Sequence, residues 1–355
     1  MNISNKNGTK NLHPGSMTRR DFFKVIAGGG IAVAGGLLLH NYLFKEPETE
    51  TFIASINGYN DDIRDSIIRG LKELRVSSFE IKGKRVLIKP NLVEPHREFS
   101  HINTHPYVIR AATEAFLHLG AGTVIVAEGA GHRRDSLLVL EESGLADVLY
   151  EDKIPFVDLN TGSVAKIENR GGVSKLTEFF VPQEIARADI VVSVAKMKTH
   201  HWAGVTLSMK NLFGVMPGII YGWPKNVLHW AGLNKCIFDI TATIKPQFAI
   251  VDGVVGMEGD GPIMGDPIQA NVLVMGRNLP SVDATCARIM GINPKKIPYL
   301  KQASGRLGAI KESNIEQRGE NIESVKKNFQ LLDYIPAHRE LKLKAIRKKK
   351  NYDII

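Results

Sequence analysis

The feature that most constrains this chain is an alternation. Short runs of β-branched and other apolar residues are each followed by a stretch whose apolar residues recur at helical spacing. Residues 51–56 read as a strand, and 61–74 then carry Ile63, Ile67, Leu71 and Leu74 on one helical face. Residues 85–89 read as a strand stopped by Pro90-Asn91, 106–119 as a helix closed by Gly120, and 123–127 as another strand. The apolar runs at 190–194, 248–251 and 272–275 suit strands buried in a parallel sheet, and 205–213, 233–244 and 281–290 read as helices. Strand and helix taking turns predicts an α/β fold: a mostly parallel sheet with helices on both faces, in a single main domain over 46–336. Residues 1–45 precede it and a basic tail, 337–355, follows, with 339–350 reading as a basic helix or a disordered arm.

The first 45 residues carry Thr18-Arg19-Arg20-Asp21-Phe22-Phe23-Lys24 ahead of fifteen uncharged apolar or glycine residues, 25–39. That run is short for a spanning helix, which needs ~20 residues, and its glycines weaken it further. The pattern is that of a twin-arginine signal peptide, predicting export of the folded chain by the Tat machinery to the periplasm or the outer face of the cytoplasmic membrane. No small-residue cleavage site follows Leu39, which leaves open whether 25–39 stays attached as a membrane tether. Met17 is an alternative start.

A formal charge of +9 invites a nucleic-acid reading until the charge is located. Each end of the chain, 1–45 and 337–355, contributes +5, which leaves the body between them at −1. A near-neutral body offers no broad cationic face to phosphates, so no nucleic-acid partner is expected. The only cysteines, Cys236 and Cys286, form no C-x-x-C pair, which excludes an iron–sulfur cluster or a four-cysteine zinc site built by this chain. They read as two buried thiols, a disulfide between them being the alternative.

Polar residues gather just past the ends of the expected strands, where open parallel sheets hold their ligands. Lys89-Pro90-Asn91 is the first place, followed by His96, Arg97, His101 and His105. Glu128-Gly129-Ala130-Gly131-His132-Arg133-Arg134 is the second, either an anion-binding turn or a structural one. The densest holds Lys196, Lys198, His200, His201 and Lys210 within fifteen residues, with His229 beyond; burial there would leave amine and imidazole lone pairs free for covalent, metal-binding or proton-transfer work. A glycine-rich acidic loop with Asp252, Glu258 and Asp260 could orient a cation or this basic cluster, or be a plain loop.

Four phrases, Leu87-Ile88-Lys89-Pro90-Asn91, Lys196-Met197-Lys198-Thr199-His200, Lys210-Asn211-Leu212-Phe213-Gly214 and Gly256-Met257-Glu258-Gly259-Asp260-Gly261-Pro262, identify the chain as resembling the family catalogued as domain of unknown function 362, over about 84–290. The resemblance implies no particular reaction. Relatives often carry ferredoxin-like cysteine motifs, which this chain lacks. A fainter resemblance, on His200-x-x-Ala203-Gly204, Lys210, Pro217-Gly218, His229 and the upstream Gly131-His132-Arg133, is to the N-terminal domain of nickel-pincer lactate racemase. It implies His132 and His200 as paired acid and base, Lys210 as covalent tether of a nickel-pincer-type nucleotide or another metal cofactor, and His229 as metal ligand. Ser208-Met209 stands where that pattern has a glycine pair, and the gap from Lys210 to His229 is longer.

Residues and resemblance together lead to the expectation of an exported enzyme dependent on a metal or nucleotide cofactor. Its substrate would be a small anionic hydroxy acid or sugar, its reaction isomerase-like (racemase or epimerase) or redox. Lys89, Asn91, Arg133, Lys196, Lys198 and Lys210 are the candidate cofactor-binding residues, His132, His200 and Lys210 the catalytic ones and His229 the metal ligand. The alternative is a non-catalytic periplasmic ligand-binding or redox-partner module.

Overall fold

The computed structural model of the chain describes residues 46–131 and 134–343. The signal and tether expected in 1–45, the candidate residues His132 and Arg133, and the tail beyond Leu343 lie outside the described residues.

The described residues hold eleven strands: β1 (Thr49–Ser55), β2 (Arg85–Lys89), β3 (Thr123–Glu128), β4 (Phe156–Asp158), β5 (Val164–Glu168), β6 (Glu178–Pro182), β7 (Ile190–His200), β8 (Gly204–Thr206), β9 (Phe248–Glu258), β10 (Asp266–Gly276) and β11 (Ile315–Gly319). Nine form one sheet in the order β11-β1-β10-β9-β7-β2-β3-β4, with β8 paired to β7, and β5 and β6 form a separate hairpin. The block β9-β7-β2-β3-β4 is parallel throughout, whereas β10 runs antiparallel to both β9 and β1.

Both faces of the sheet are covered, so its strands are apolar on both sides. Along β7, Ile190, Val192 and Val194 enter the core shared with helices α1 (Ile63–Glu73) and α2 (Pro106–His118). Val191, Ala195 and Met197 point the other way, toward the core of α4 (Leu233–Ile244) and α5 (Leu279–Ile289). Helix α3 (Ser208–Asn211) lies between these elements in sequence. Local chemistry sets the helix starts: Asp62 accepts from the Asp65 amide at the start of α1, and Pro106 opens α2, where no intrahelical N–H is needed.

Three sequence expectations need correction. The 190–194 strand runs on to His200, buried at every position, so Lys196, Lys198 and His200 of the Lys/His cluster belong to β7 rather than to a loop after it. The 272–275 run lies in an antiparallel strand, because β9 continues to Glu258 and turns back as a hairpin through Gly259, whose φ is +75°. Residues 205–213 are not one helix: Gly204, at φ +83°, folds Val205 back against Thr199, and only then does α3 begin. At the other end the chain stays on the body as far as Leu343, whose amide donates to the Gly291 carbonyl, and Leu341 is buried. Cys236 and Cys286 are buried and unpaired.

Candidate functional site

From β2 the chain moves outward through β3 and β4, then returns to β7 on the other side of β2. That reversal opens a crevice at the C-terminal ends of β2 and β7, the place where open α/β sheets bind ligands. A cavity of about 300 Å³ occupies it. Lys89, the last residue of β2, reaches it from one strand, and Lys198 and His200 from the other, while Lys210, Lys225 and His229 come from the segment after β8.

Each lysine has a different set of neighbours. The Lys89 ammonium is fully buried and uses its three protons on Glu128 Oε2 at 2.8 Å, Asn211 Oδ1 at 2.9 Å and the Pro90 carbonyl at 2.9 Å. Burial pulls its pKa down and Glu128 opposes that. Glu128 also accepts from the Leu92 and Gly129 amides, so the pair is tied into both adjoining turns. Gly214 permits this packing, since a Cβ there would collide with Glu128 Oε1 and Lys89 Nζ. Lys198 donates to the Ile102 carbonyl at 2.8 Å and the Pro262 carbonyl at 3.1 Å. Burial first, then repulsion from Lys196, Lys210 and Lys89, holds its pKa well below the ordinary lysine value. The two carbonyls orient the amine without giving it a counter-ion.

Lys225, at φ +69°, donates to Asn160 Oδ1 at 2.7 Å, the Gly129 carbonyl at 3.2 Å and the Met216 carbonyl at 2.5 Å. Burial brings its pKa down to about 7. Three acceptors need three donors, which favours the ammonium at and below neutrality. Lys210 differs from the rest: its amine sits 4.6 Å from the centre of the Phe213 ring and has no hydrogen-bond partner among the described residues. Burial first, and Lys89 second, lowers it to about 8. Its helix is fixed from outside the cavity by Asp283 of α5, which accepts from the Ser208 amide, the Ser208 hydroxyl and the Met209 amide.

Two of the three histidines that line the cavity, His200 and His229, are set in opposite tautomers by backbone hydrogen bonds. His200 Nδ1 accepts from the Trp202 and Ala203 amides at 3.0 and 3.3 Å, which leaves the proton of a neutral ring on Nε2. Burial, then Lys210, keeps that ring neutral by lowering its pKa well below the usual histidine value. His229 Nδ1 lies 3.0 Å from the Lys225 carbonyl, which can only accept, so Nε2 of the neutral His229 carries the lone pair. Burial lowers its pKa as well. Asn91 Oδ1 and Thr206 Oγ1, both lining the cavity, are buried without a partner among the described residues.

Of the candidates read from sequence, the cavity brings together Lys89, Asn91, Lys198, His200, Lys210 and His229. Lys196 stands apart from it, closed in an ion pair with Asp252 at 2.7 Å and a hydrogen bond to the Tyr59 hydroxyl at 2.8 Å. His105 stacks on Tyr59 beside that pair, and Arg97 reaches Asp147. Asp260 faces His201 at 3.5 Å, and Glu258 accepts from the Gln330 amide. Lys225, Asn160 and Asp283 were not singled out by sequence. Lys225 follows a Trp-Pro pair in a histidine- and tryptophan-bearing stretch, a faint signal; the other two act through contacts distant in sequence. Among the described residues no three His, Cys, Asp or Glu side chains converge as a metal site, and no helix is long and apolar enough to cross a membrane.

Residues 86–288 match the model of the family described as Domain of unknown function (DUF362). The thylakoid-associated protein sll1697 of Synechocystis is 28% identical over 242 residues, covering 66% of this chain and 71% of the relative. Two solved structures bear a distant likeness. The lactate racemase apoprotein of Thermoanaerobacterium thermosaccharolyticum has a TM-score of 0.42 at 13% identity, over 69% of this chain and 58% of the other. A Thermotoga maritima protein has a TM-score of 0.38 at 13% identity, over 63% and 57%. In both, the match spans less than two thirds of the solved chain.

Proposed function

We propose, for a chain that belongs to the domain of unknown function 362 family, that the cavity at the β2–β7 switch binds a small anionic substrate and acts on it as an enzyme. The reaction class is proton transfer at carbon, of racemase, epimerase or related redox type, on a hydroxy acid or sugar acid. The observation that carries this reading is the Lys210 amine: partly buried, lowered to about 8, and without a hydrogen-bond partner among the described residues. A lysine kept for structure would be satisfied as Lys89 is, on a carboxylate, an amide oxygen and a carbonyl. An amine held near neutrality and left free suits charge pairing with an anion or a covalent bond.

The chemistry follows from the fixed tautomers. His200 offers an N–H that can polarise a substrate oxygen by hydrogen bonding and His229 a lone pair that can accept a proton from the adjoining carbon, so the two neutral rings fill different parts of one proton transfer. Lys210 and the Asn91 amide would hold the anionic end, and the Lys89–Glu128 pair stiffens the floor beneath them. Replacement of the Lys210 ammonium's water by cavity walls such as Phe213 strengthens its hold on a carboxylate.

The donor set also suits a cofactor that brings most of its own ligands. No three-residue protein site for a metal exists among the described residues, but one free amine, Lys210, and one imidazole lone pair, His229, are available to such a group, a nickel-pincer-type nucleotide being an example. When bound, it would supply hydride acceptance. Export of the folded chain by the twin-arginine route, and residence at the outer face of the membrane with 25–39 as tether, belong to the same proposal; a relative's name as a thylakoid-associated protein accords with a membrane-side location.

The test is mass spectrometry, with metal analysis, of protein purified from its native host, followed by incubation of that protein with single enantiomers of 2-hydroxy acids in deuterated water. A mass added at Lys210 supports the cofactor part, and an unmodified Lys210 without bound metal or nucleotide removes it. The non-catalytic alternative draws on the full hydrogen bonding of Lys89 and Lys225, which suits a static anion pocket. Tight binding without isotope exchange would decide for it.

A further inference from the structure

We infer that the anion bound in this cavity is the headgroup of an amphiphile presented at a membrane surface, a carboxylate or phosphate carried on an apolar chain. The inference rests on the anion-binding reading above and names its substrate class. Six large apolar side chains are exposed around the cavity: Trp202 (60%), Ile219, Ile220, Val227, Trp230 (82%) and Met264 (78%). Four of them are tied to the lining by a contact or a chain neighbour. The Trp202 ring lies 5.4 Å from that of His229, Trp230 follows His229, and Met264 follows Ile263. The Ile219 amide donates to the Asn160 carbonyl, while the side chain of Asn160 holds the Lys225 amine. Exposed apolar residues scattered singly need no explanation, but a group gathered on one mouth does.

What covers it is indicated by charge and by the course of the chain. Inside the mouth, no carboxylate of the described residues is bound to Lys198, Lys210 or Lys225, since Glu128 is paired with Lys89. An occupant complementary to both parts is negative at one end and apolar along the rest. Phe213, Pro224 and Ile263 give its apolar part a path from the amines to the rim. Two tryptophans among aliphatic side chains is the composition that sits at a bilayer interface. Leu341 rests against Gly204, in the turn that carries Trp202, so the chain leaves the described residues close to the rim. Its sequence then continues with Lys344, Arg347, Lys348, Lys349 and Lys350 before any acidic residue, and such a cluster is drawn to anionic lipid.

Tryptophan emission tests this in the full chain, because Trp202, Trp223 and Trp230 are its only tryptophans and none lies in 25–39. The protein is mixed with vesicles of brominated phosphatidylcholine, alone or with brominated phosphatidic acid. Quenching is expected with the acidic vesicles, and it should fall at least about twofold in Ile219→Ser/Val227→Ser/Met264→Ser and in Trp230→Ser, whose exposed position spares the core. Quenching absent with both vesicles, or equal with both, overturns the inference, as does emission that an aqueous quencher cannot reach in lipid-free protein, which would mean the rim is covered by this chain or a second copy. Calorimetry with lactate separates the two claims: Lys210-dependent binding of that soluble anion leaves the cavity reading standing when the vesicle result is negative, and its absence brings down both.

Discussion

Binding of an anion beside Lys210 should take up a proton, and the amount is set by the structure. Burial and Lys89 hold the free amine at about 8, whereas a carboxylate against it would return it to about 10.4 or above. At pH 9 the free protein then carries roughly 0.1 proton on Lys210 and the complex nearly one, an uptake of about 0.9; at pH 6.5 both forms are protonated and the uptake is about 0.03. The sign follows: a group whose bound form holds more protons loses affinity as pH rises through its free pKa. Between pH 7 and pH 9 the affinity should fall roughly tenfold, about 1.4 kcal/mol. Isothermal calorimetry with lactate in two buffers of different ionisation enthalpy reads the uptake directly, and Lys210→Met should abolish most of it. Buffer-independent heats at pH 9 with affinity unchanged from pH 7 would refute the assignment of Lys210 as the anion's partner.

Three further outcomes follow. Glu128→Gln leaves the Lys89 charge buried without its counter-ion and should cost about 3–5 kcal/mol in urea unfolding; a loss under about 1 kcal/mol would mean that the carbonyl and Asn211 suffice for Lys89. Burial raises the Asp283 carboxyl to about 7, so folding binds a proton between its unfolded value of about 3.9 and 7, and the stability tied to that proton is full below 3.9 and lost as pH rises through 7. The gap between wild type and Asp283→Asn, followed by denaturation from pH 4 to 8, should therefore move toward the variant by up to ~4 kcal/mol; a flat gap contradicts the burial argument. His200→Phe and His229→Phe keep the aromatic packing around Trp202 and should hold lactate within about threefold of wild type while losing deuterium exchange at its α-carbon; exchange surviving in both removes the proton-transfer roles.

Local signals located the elements and missed the long-range polar contacts. Helix α4 spans Leu233–Ile244 and β2 spans Arg85–Lys89, the bounds the pattern predicts, because apolar spacing and a following Pro or polar break act within a few residues. The end of β7 was hidden for a physical reason. Lys196, Lys198 and His200 continue the alternation of Ile190, Val192 and Val194, but two buried lysines in a parallel strand make sense only with their partners in view. Those partners are Asp252 and Tyr59 for one, and the carbonyls of Ile102 and Pro262 for the other, all more than fifty residues away. The same distance concealed Asp283, whose carboxylate fixes the helix bearing Lys210, and Asn160, which holds Lys225.

The choice of partners also separates the two jobs these lysines do. Where a charge serves the fold it meets a carboxylate: Lys196 with Asp252 and Lys89 with Glu128, each pair buried and close to neutral. Where the amine faces the cavity, the partners are carbonyls and an amide oxygen, for Lys198 and Lys225, or an aromatic ring, for Lys210. Carbonyl dipoles can orient an amine without cancelling its charge, so the positive potential stays available to whatever enters. Burial still lowers each amine's pKa, because it outweighs the opposing pull of the nearby Glu128 carboxylate. An acidic side chain placed at Asn160 would stabilise Lys225 and fill the cavity's electrostatic need from within. The amide there, like the free amine of Lys210, leaves that need to be met by the ligand.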